Sequence, residues 1–289
     1  VVLTVIADMG SFCRFLNGSL FLLLATLHSP ERLAADDWVY PLDVAAKATG
    51  ELYIADRKLP GVLQYAEGRL SVLVRAESKF RTPLNAVRCV HVTASGQLLA
   101  GDSATREVYL IQPDGQLQPL TDGKIGIPTQ ISSTGDLVYV TDLELARVWK
   151  FPLAGGTPEA VAEVPGPRGV DIDAAGNIWI LSAQKPQLRR ISPTGEQQII
   201  HEGLTFEFPQ QVLISPAGVA FVSDGYARCI WKVDSTGKAE KWAVDPAFQN
   251  PVGICWQNDN LLLIDSRVPA LFEISPEGKV SQRDLSANK

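Results

Sequence analysis

Residues Pro167–Ile180 read P-R-G-V-D-I-D-A-A-G-N-I-W-I, and this stretch decides the fold. Two short runs rich in β-branched and aromatic residues flank a glycine turn, which is the pattern of a β-hairpin. Ser182 ends the second run, Arg189 follows in L-R-R-I, and P-T-G closes the unit at Gly195. The chain repeats this unit six times. The residues ending the second run are Asp56, Asp102, Asp142, Ser182, Asp224 and Asp265, spaced 46, 40, 40, 42 and 41 residues apart. Seven residues after each stands a mostly large side chain: Leu63, Tyr109, Trp149, Arg189, Trp231 and Phe272. A second glycine then recurs, at Gly68, Gly115, Gly155, Gly195, Gly237 and Gly278. A fixed period of about 40 residues signals stacked supersecondary units.

Each copy parses as four strands. Strand A is V-D-I-D or V-L-I-S; strand B is L-Y-I-A-D, L-V-Y-V-T-D or V-A-F-V-S-D. Strand C is R-V-W-K-F, C-I-W-K-V or A-L-F-E-I, and strand D, as in E-Q-Q-I-I, is the least regular. No part of the repeat region sustains a 3.6-residue apolar period, so no long helix is expected there. A four-stranded meander buries both faces when copies pack radially around an axis. The predicted fold is therefore all-β: a six-bladed β-propeller with four antiparallel strands per blade. All copies share one A-to-D phase, so no strand needs to be exchanged between the ends. The W-V-Y stretch at Trp38 has the composition of an extra edge strand for the last blade.

Residues 36–289 are expected to form this single domain and residues 1–35 a leader. Arg14 supplies a positive n-region, Phe15–Leu27 an apolar stretch, and Leu33-Ala34-Ala35 a small-residue cleavage site, the layout of a secretory signal peptide. Met9 is the sole methionine and the expected start, leaving residues 1–8 outside the natural product. The mature chain is expected to begin near Asp36, to be periplasmic or secreted, to retain no stable membrane span, and to be a monomer. The net charge of −6 argues against a nucleic-acid partner, which needs a basic footprint. Cys89, Cys229 and Cys255 would survive cleavage; they form no C-x-x-C pair and read as buried thiols.

The unit resembles the NHL repeat: Pro167–Ile180 matches its P-x-G-V-A-V-D and G-N-V-Y-V-A-D segments, and Arg147–Phe151 its R-V-x-K-F segment. It is also similar, at superfamily level, to the senescence-marker-protein/gluconolactonase group. The resemblance implies a six-bladed scaffold. NHL propellers are mostly binding platforms, whereas the gluconolactonase group contains metal-dependent hydrolases, and fold alone does not choose between them.

The repeated acid reads as blade construction: at the end of strand B, an Asp side chain accepts hydrogen bonds from nearby backbone N–H groups. The aromatic position reads as packing, and the double departure at Ser182 and Arg189 as repeat drift. Ligand specificity is expected where the copies disagree, in the two residues after the first residue of strand A. These pairs are Leu42-Asp43, Arg88-Cys89, Thr129-Gln130, Arg168-Gly169, Gln210-Gln211 and Val252-Gly253. The candidate rim residues are Arg88, Arg168, Asp43, Gln130, Gln210 and Gln211. Guanidinium forks suit a carboxylate or phosphate, so the rim is either an anion site or a solvated channel mouth. The leading expectation is a scaffold binding a small-molecule or protein ligand at the funnel, without a cofactor. The alternative is a hydrolase, lactonase or lyase holding Ca or Zn. A gluconolactonase-type site implies Glu, Asn and Asp at inner-strand positions, but these slots offer only Asp43, with Asn85 and Asp171 nearby and out of register. His91 and His201 fall in different blades, away from one another, and make no zinc cluster. No catalytic residue is assigned.

Overall fold

The computed structural model describes residues 38–59, 61–268 and 270–285; the expected leader, residues 1–35, lies outside them. Twenty-four strands form six sheets of four, each a sequential antiparallel meander. The described residues contain no helix. Blade 4 is typical, with strands Pro167–Ile172, Ile178–Ser182, Leu188–Ile191 and Gln197–His201. The runs C-I-W-K-V and A-L-F-E-I are strands over their full length, Cys229–Val233 and Ala270–Ile274. The six inner strands, Pro41–Ala46, Val87–Val92, Pro128–Thr134, Pro167–Ile172, Pro209–Ile214 and Pro251–Gln257, contact one another in ring order, the last meeting the first.

The second strand Leu52–Asp56 is buried at every position because a neighbouring blade covers each face, and in blades 3 and 6 only the first residue of the second strand escapes burial. The apolar residues accordingly fall into six clusters, one at each interface between blades. Among the described residues, no strand is shared across the interface between blades 6 and 1. Trp38 does not extend the sheet of blade 6. It is only 3% exposed and packs with Leu285, Leu271 and Leu52 between the first and last blades. Burial of such a side chain stabilises by roughly 1.5–3 kcal/mol, so Trp38 helps hold the first and last blades together.

The repeated acid ties each blade together. Asp224 accepts hydrogen bonds from Glu207 and Phe208 N–H before the inner strand, from Tyr226 and Ala227 N–H in the following turn, and from Trp231 Nε1. Asp142 repeats the set with Gly126, Ile127, Glu144, Leu145 and Trp149 Nε1. The Trp seven residues on is therefore a donor to the acid as well as a packing residue. Asp56 and Asp265 make the same backbone bonds, and Asp102 does so with Leu84, three residues before its inner strand, in place of the residue two before it.

Blade 4 shows why its acid is replaced. The residue two before the inner strand is Pro165, which has no N–H to offer. Ser182 instead donates to the Pro165 carbonyl at 2.6 Å and accepts from Gln184 N–H at 2.9 Å. The substitution matches the lost donor, so it is compensation rather than drift.

Candidate functional site: a channel with three tiers

Every inner strand carries a β-bulge directly after its first residue. The register breaks at Pro41/Asp43, Val87/Cys89, Pro167/Gly169, Pro209/Val212 and Pro251/Ile254, and opposite Thr141/Asp142 in blade 3. A bulged residue is unpaired and its side chain is re-aimed. The residues so released, Leu42, Arg88, Thr129, Arg168, Gln210 and Val252, all line one shallow pocket at this end of the channel.

The rim is cationic. Among the described residues its lining holds the Arg88 and Arg168 guanidiniums and no carboxylate. Arg88 Nε donates to Ser103 Oγ at 3.1 Å, and Ser103 passes the bond to the Ala86 carbonyl. Arg168 lies 5.0 Å over the Phe208 ring, which stacks at 4.5 Å on Tyr226. Arg168 Nε is shielded from solvent without an acceptor. Burial lowers the pKa of both guanidiniums, more than any neighbouring charge does; both remain charged at neutral pH. Tyr226 is 60% exposed, so the Arg168–Phe208–Tyr226 stack ends in an open aromatic face.

The next residue of each strand forms a septum across the channel. Asp43, Gln130 and Gln211 belong to this tier, buried beneath the rim at 2%, 4% and 4% exposure. Of the six sequence-predicted residues, only Arg88, Arg168 and Gln210 stand at the bulge, although Gln211 also reaches the rim pocket from below. Gln130 Oε1 accepts from Val170 and Val212 N–H, and its Nε2 donates to the Val212 carbonyl at 2.8 Å, joining three blades. Asp43 accepts from Val44 and Val90 N–H. Gln211 accepts from Ile254 N–H at 2.8 Å and also hydrogen-bonds the Asp43 carboxylate. Glycines make room for these side chains. A Cβ on Gly169 would lie 2.6 Å from Gln130 Oε1, and one on Gly253 2.5 Å from Asp43 Cα.

Behind the septum lies a chamber of about 210 Å³. Its wall includes the fifth residue of each inner strand: Ala45, His91, Ser132, Asp171, Leu213 and Cys255. Asp171 bridges blades by accepting from Ser132 Oγ at 2.8 Å and Ile214 N–H at 2.7 Å. Burial dominates the electrostatics. It raises the Asp43 pKa to about 7 and that of Asp171 to about 6, while hydrogen bonds to each carboxylate pull the other way. The same burial lowers His91 to about 4, so its imidazole, bonded to Ser133 Oγ at 2.8 Å, is neutral at pH 7. The Cys89 and Cys255 thiols are pushed far up and stay protonated. Among the described residues, no Lys or Arg lines the chamber wall.

Sequence reasoning placed Asp171 out of register and left the chamber unassigned. The available signal was a second variable slot, three residues beyond the first: A, H, S, D, L, C in blade order. His91 and His201 do not meet: His91 lines the chamber, whereas His201 binds the Gly237 carbonyl and Thr205 between blades 4 and 5. Asn85 donates to the Glu77 carbonyl, away from the channel lining.

A divalent cation at the rim does not fit this donor set. Its slots present two guanidiniums and no carboxylate, whereas such a cation needs several anionic or carbonyl oxygens. Among the described residues no group of three or more His, Cys, Asp and Glu is placed to hold a metal.

Comparison with known proteins places this architecture. The family model described as SMP-30/Gluconolactonase/LRE-like region matches residues 30–205. A gluconolactonase from Xanthomonas campestris superposes with a TM-score of 0.70 at 16% identity, covering 89% of this chain and 91% of that one. A virginiamycin B lyase from Staphylococcus aureus superposes with a TM-score of 0.66 at 12% identity, over 88% of each chain. A chain of a nidogen/laminin complex superposes with a TM-score of 0.65 at 13% identity, covering 84% and 92%. No curated protein sequence matches the chain. At these identities the superpositions establish the fold.

Proposed function

The chain belongs to the SMP-30/gluconolactonase/LRE-like family, and from that premise we propose that it is a propeller whose rim binds an anionic ligand rather than a catalytic metal. One observation carries the reading: Arg88 and Arg168 are released by bulges into one pocket whose described lining residues include no carboxylate to neutralise them. A carboxylate or phosphate group fits two such forks, and the Phe208–Tyr226 stack beside Arg168 offers a flat face for the rest of the ligand. The ligand sits at the mouth, above the buried side chains of Asp43, Gln130 and Gln211. Gln210 and Thr129 supply neutral hydrogen-bonding groups at the same level. The nidogen/laminin chain illustrates that this scaffold occurs in a protein complex. A carboxylate-bearing peptide end is therefore as suitable a ligand as a small molecule. We further propose that the protein acts outside the cytoplasm after cleavage near Asp36; N-terminal sequencing of the exported product tests this.

The binding reading is tested by titrating gluconate and phosphate calorimetrically at low and high salt. A charge-assisted hydrogen bond contributes about 1.5–3 kcal/mol. Arg168→Ala should therefore weaken binding by about tenfold or more, and added salt should weaken it further. The second reading, lactone hydrolysis, is favoured by the family and by the gluconolactonase neighbour. Saturable hydrolysis of gluconolactone that depends on added calcium or zinc would overturn the binding reading.

A further inference from the structure

Among its described residues the chamber wall at the channel end opposite the rim contains Asp43 and Asp171 but no Lys or Arg; Lys47, the residue after Ala46, lines the adjoining cavity instead. Beside the chamber, a groove of about 620 Å³ runs between blades 5 and 6, walled by Phe221, Trp242 and Trp256 and edged by Asp173 and Asp259. It too is free of Lys and Arg. Trp256 borders both cavities, so they share a wall. Phe221 meets Trp242 at 4.7 Å and Trp256 at 5.4 Å, both edge-on. Trp256 Nε1 is shielded from solvent and has no protein acceptor.

We propose that this end is a second binding site, for a small organic ammonium ion carrying a flat apolar body. The ammonium group enters the chamber between the Asp43 and Asp171 carboxylates, and the apolar body lies in the groove against Trp256 and Trp242. Charge complementarity selects the cation: neither carboxylate has an ion-pair partner among the described residues. An ammonium carries up to three N–H donors, matched by the two carboxylates and Ser132 Oγ. Aromatic walls strengthen the choice, since ring faces attract cations and bury flat apolar groups. The groove falls within the size range of small-molecule sites. A bare divalent ion is a poorer match, because it requires about six oxygens, while each carboxylate here already accepts hydrogen bonds from the protein.

The neighbouring titratable groups do not compete. His91, Cys89 and Cys255 are neutral at pH 7. Asp173 adds negative charge beside Asp171. Arg88 and Arg283 act on the two thiols but line neither cavity. Ammonium binding at pH 7 should therefore displace a proton from the carboxyls.

The test titrates the full chain with phenethylamine and with its neutral isostere phenethyl alcohol. Binding is followed by tryptophan fluorescence and by calorimetry in two buffers of different ionisation enthalpy. The expected result is amine binding tighter than about 1 mM, an alcohol about tenfold weaker or more, and proton release with the amine alone. Asp171→Asn preserves both local bonds, with its oxygen accepting from Ile214 N–H and its amide donating to Ser132 Oγ. It should fold and weaken amine binding by about tenfold or more. Equal affinity for amine and alcohol, undiminished amine binding in Asp171→Asn, or stabilisation by calcium instead of the amine would each overturn the proposal.

Discussion

The two ends of the channel carry opposite charge and are built differently. At the rim, Arg88 and Arg168 sit on bulged residues, partly exposed, where a guanidinium keeps contact with water. In the chamber, Asp171 sits on a regular ladder position and Asp43 in the buried septum, and both carboxyls are desolvated enough to hold protons near neutrality. A bulge lets a charge be displayed cheaply; a regular strand inside a closed ring makes the same charge costly. The difference teaches that a charge at the rim costs the fold little, whereas the chamber acids carry a stability cost when ionised.

The comparison breaks most severely if the septum that separates the ends is disturbed. Gly169→Ala would press a methyl group against Gln130 Oε1 and Val212 N at 2.6 and 2.9 Å. Strain and the lost three-blade bonds should cost about 3 kcal/mol, read as a lower denaturant midpoint. An unchanged midpoint would show that the septum is soft and the ends are not insulated.

A smaller effect sharpens the account of the acidic end. Asp171 releases its proton near 3.8 when unfolded and near 6 when folded, so the folded state binds more protons between these values. Its contribution to stability is complete below about pH 4 and is lost as pH rises through about 6; Asp43 extends the decline to about 7. Asp171→Asn removes one titration and should flatten this decline, becoming more stable than the parent at pH 8 by up to roughly 3 kcal/mol. Chemical denaturation at pH 5 and pH 8 measures it, and identical pH slopes would contradict burial as the cause.

The smallest change belongs to the cationic end. Arg88→Ala and Arg168→Ala should each alter stability by less than about 1 kcal/mol, Arg168 the more because it covers Phe208. A loss of several kcal/mol in thermal unfolding would make the arginines structural and remove the contrast.

Much of this was legible from the six copies. Asp56 and its equivalents read correctly as blade construction because a residue placed identically in successive units serves the unit. The variable slot after the inner-strand start pointed to the channel, and Arg88 and Arg168 are there. What misled was the pairing of two adjacent residues as one rim. The bulge turns Arg168 outward while Gly169 stays in the septum, and no residue type announces that break. Ser182 was legible in retrospect, since Pro165 removes the N–H that an acid would bind. Trp38 was not: its W-V-Y setting resembles an edge strand, and only the apolar gap between blades 6 and 1, filled together with Leu285, claims its ring.

The sequence by itself determined the repeat, the strand order and the closed six-bladed ring, because periodic apolar runs and glycine turns are local signals and each blade must bury both faces. Tertiary structure alone decided which polar side chains share a space. Gln130 reaches Val212, 82 residues away, and Asp171 joins Ser132 to Ile214 across three blades. Such contacts depend on the angle between blades and on missing Cβ atoms at Gly169 and Gly253, which no local pattern encodes.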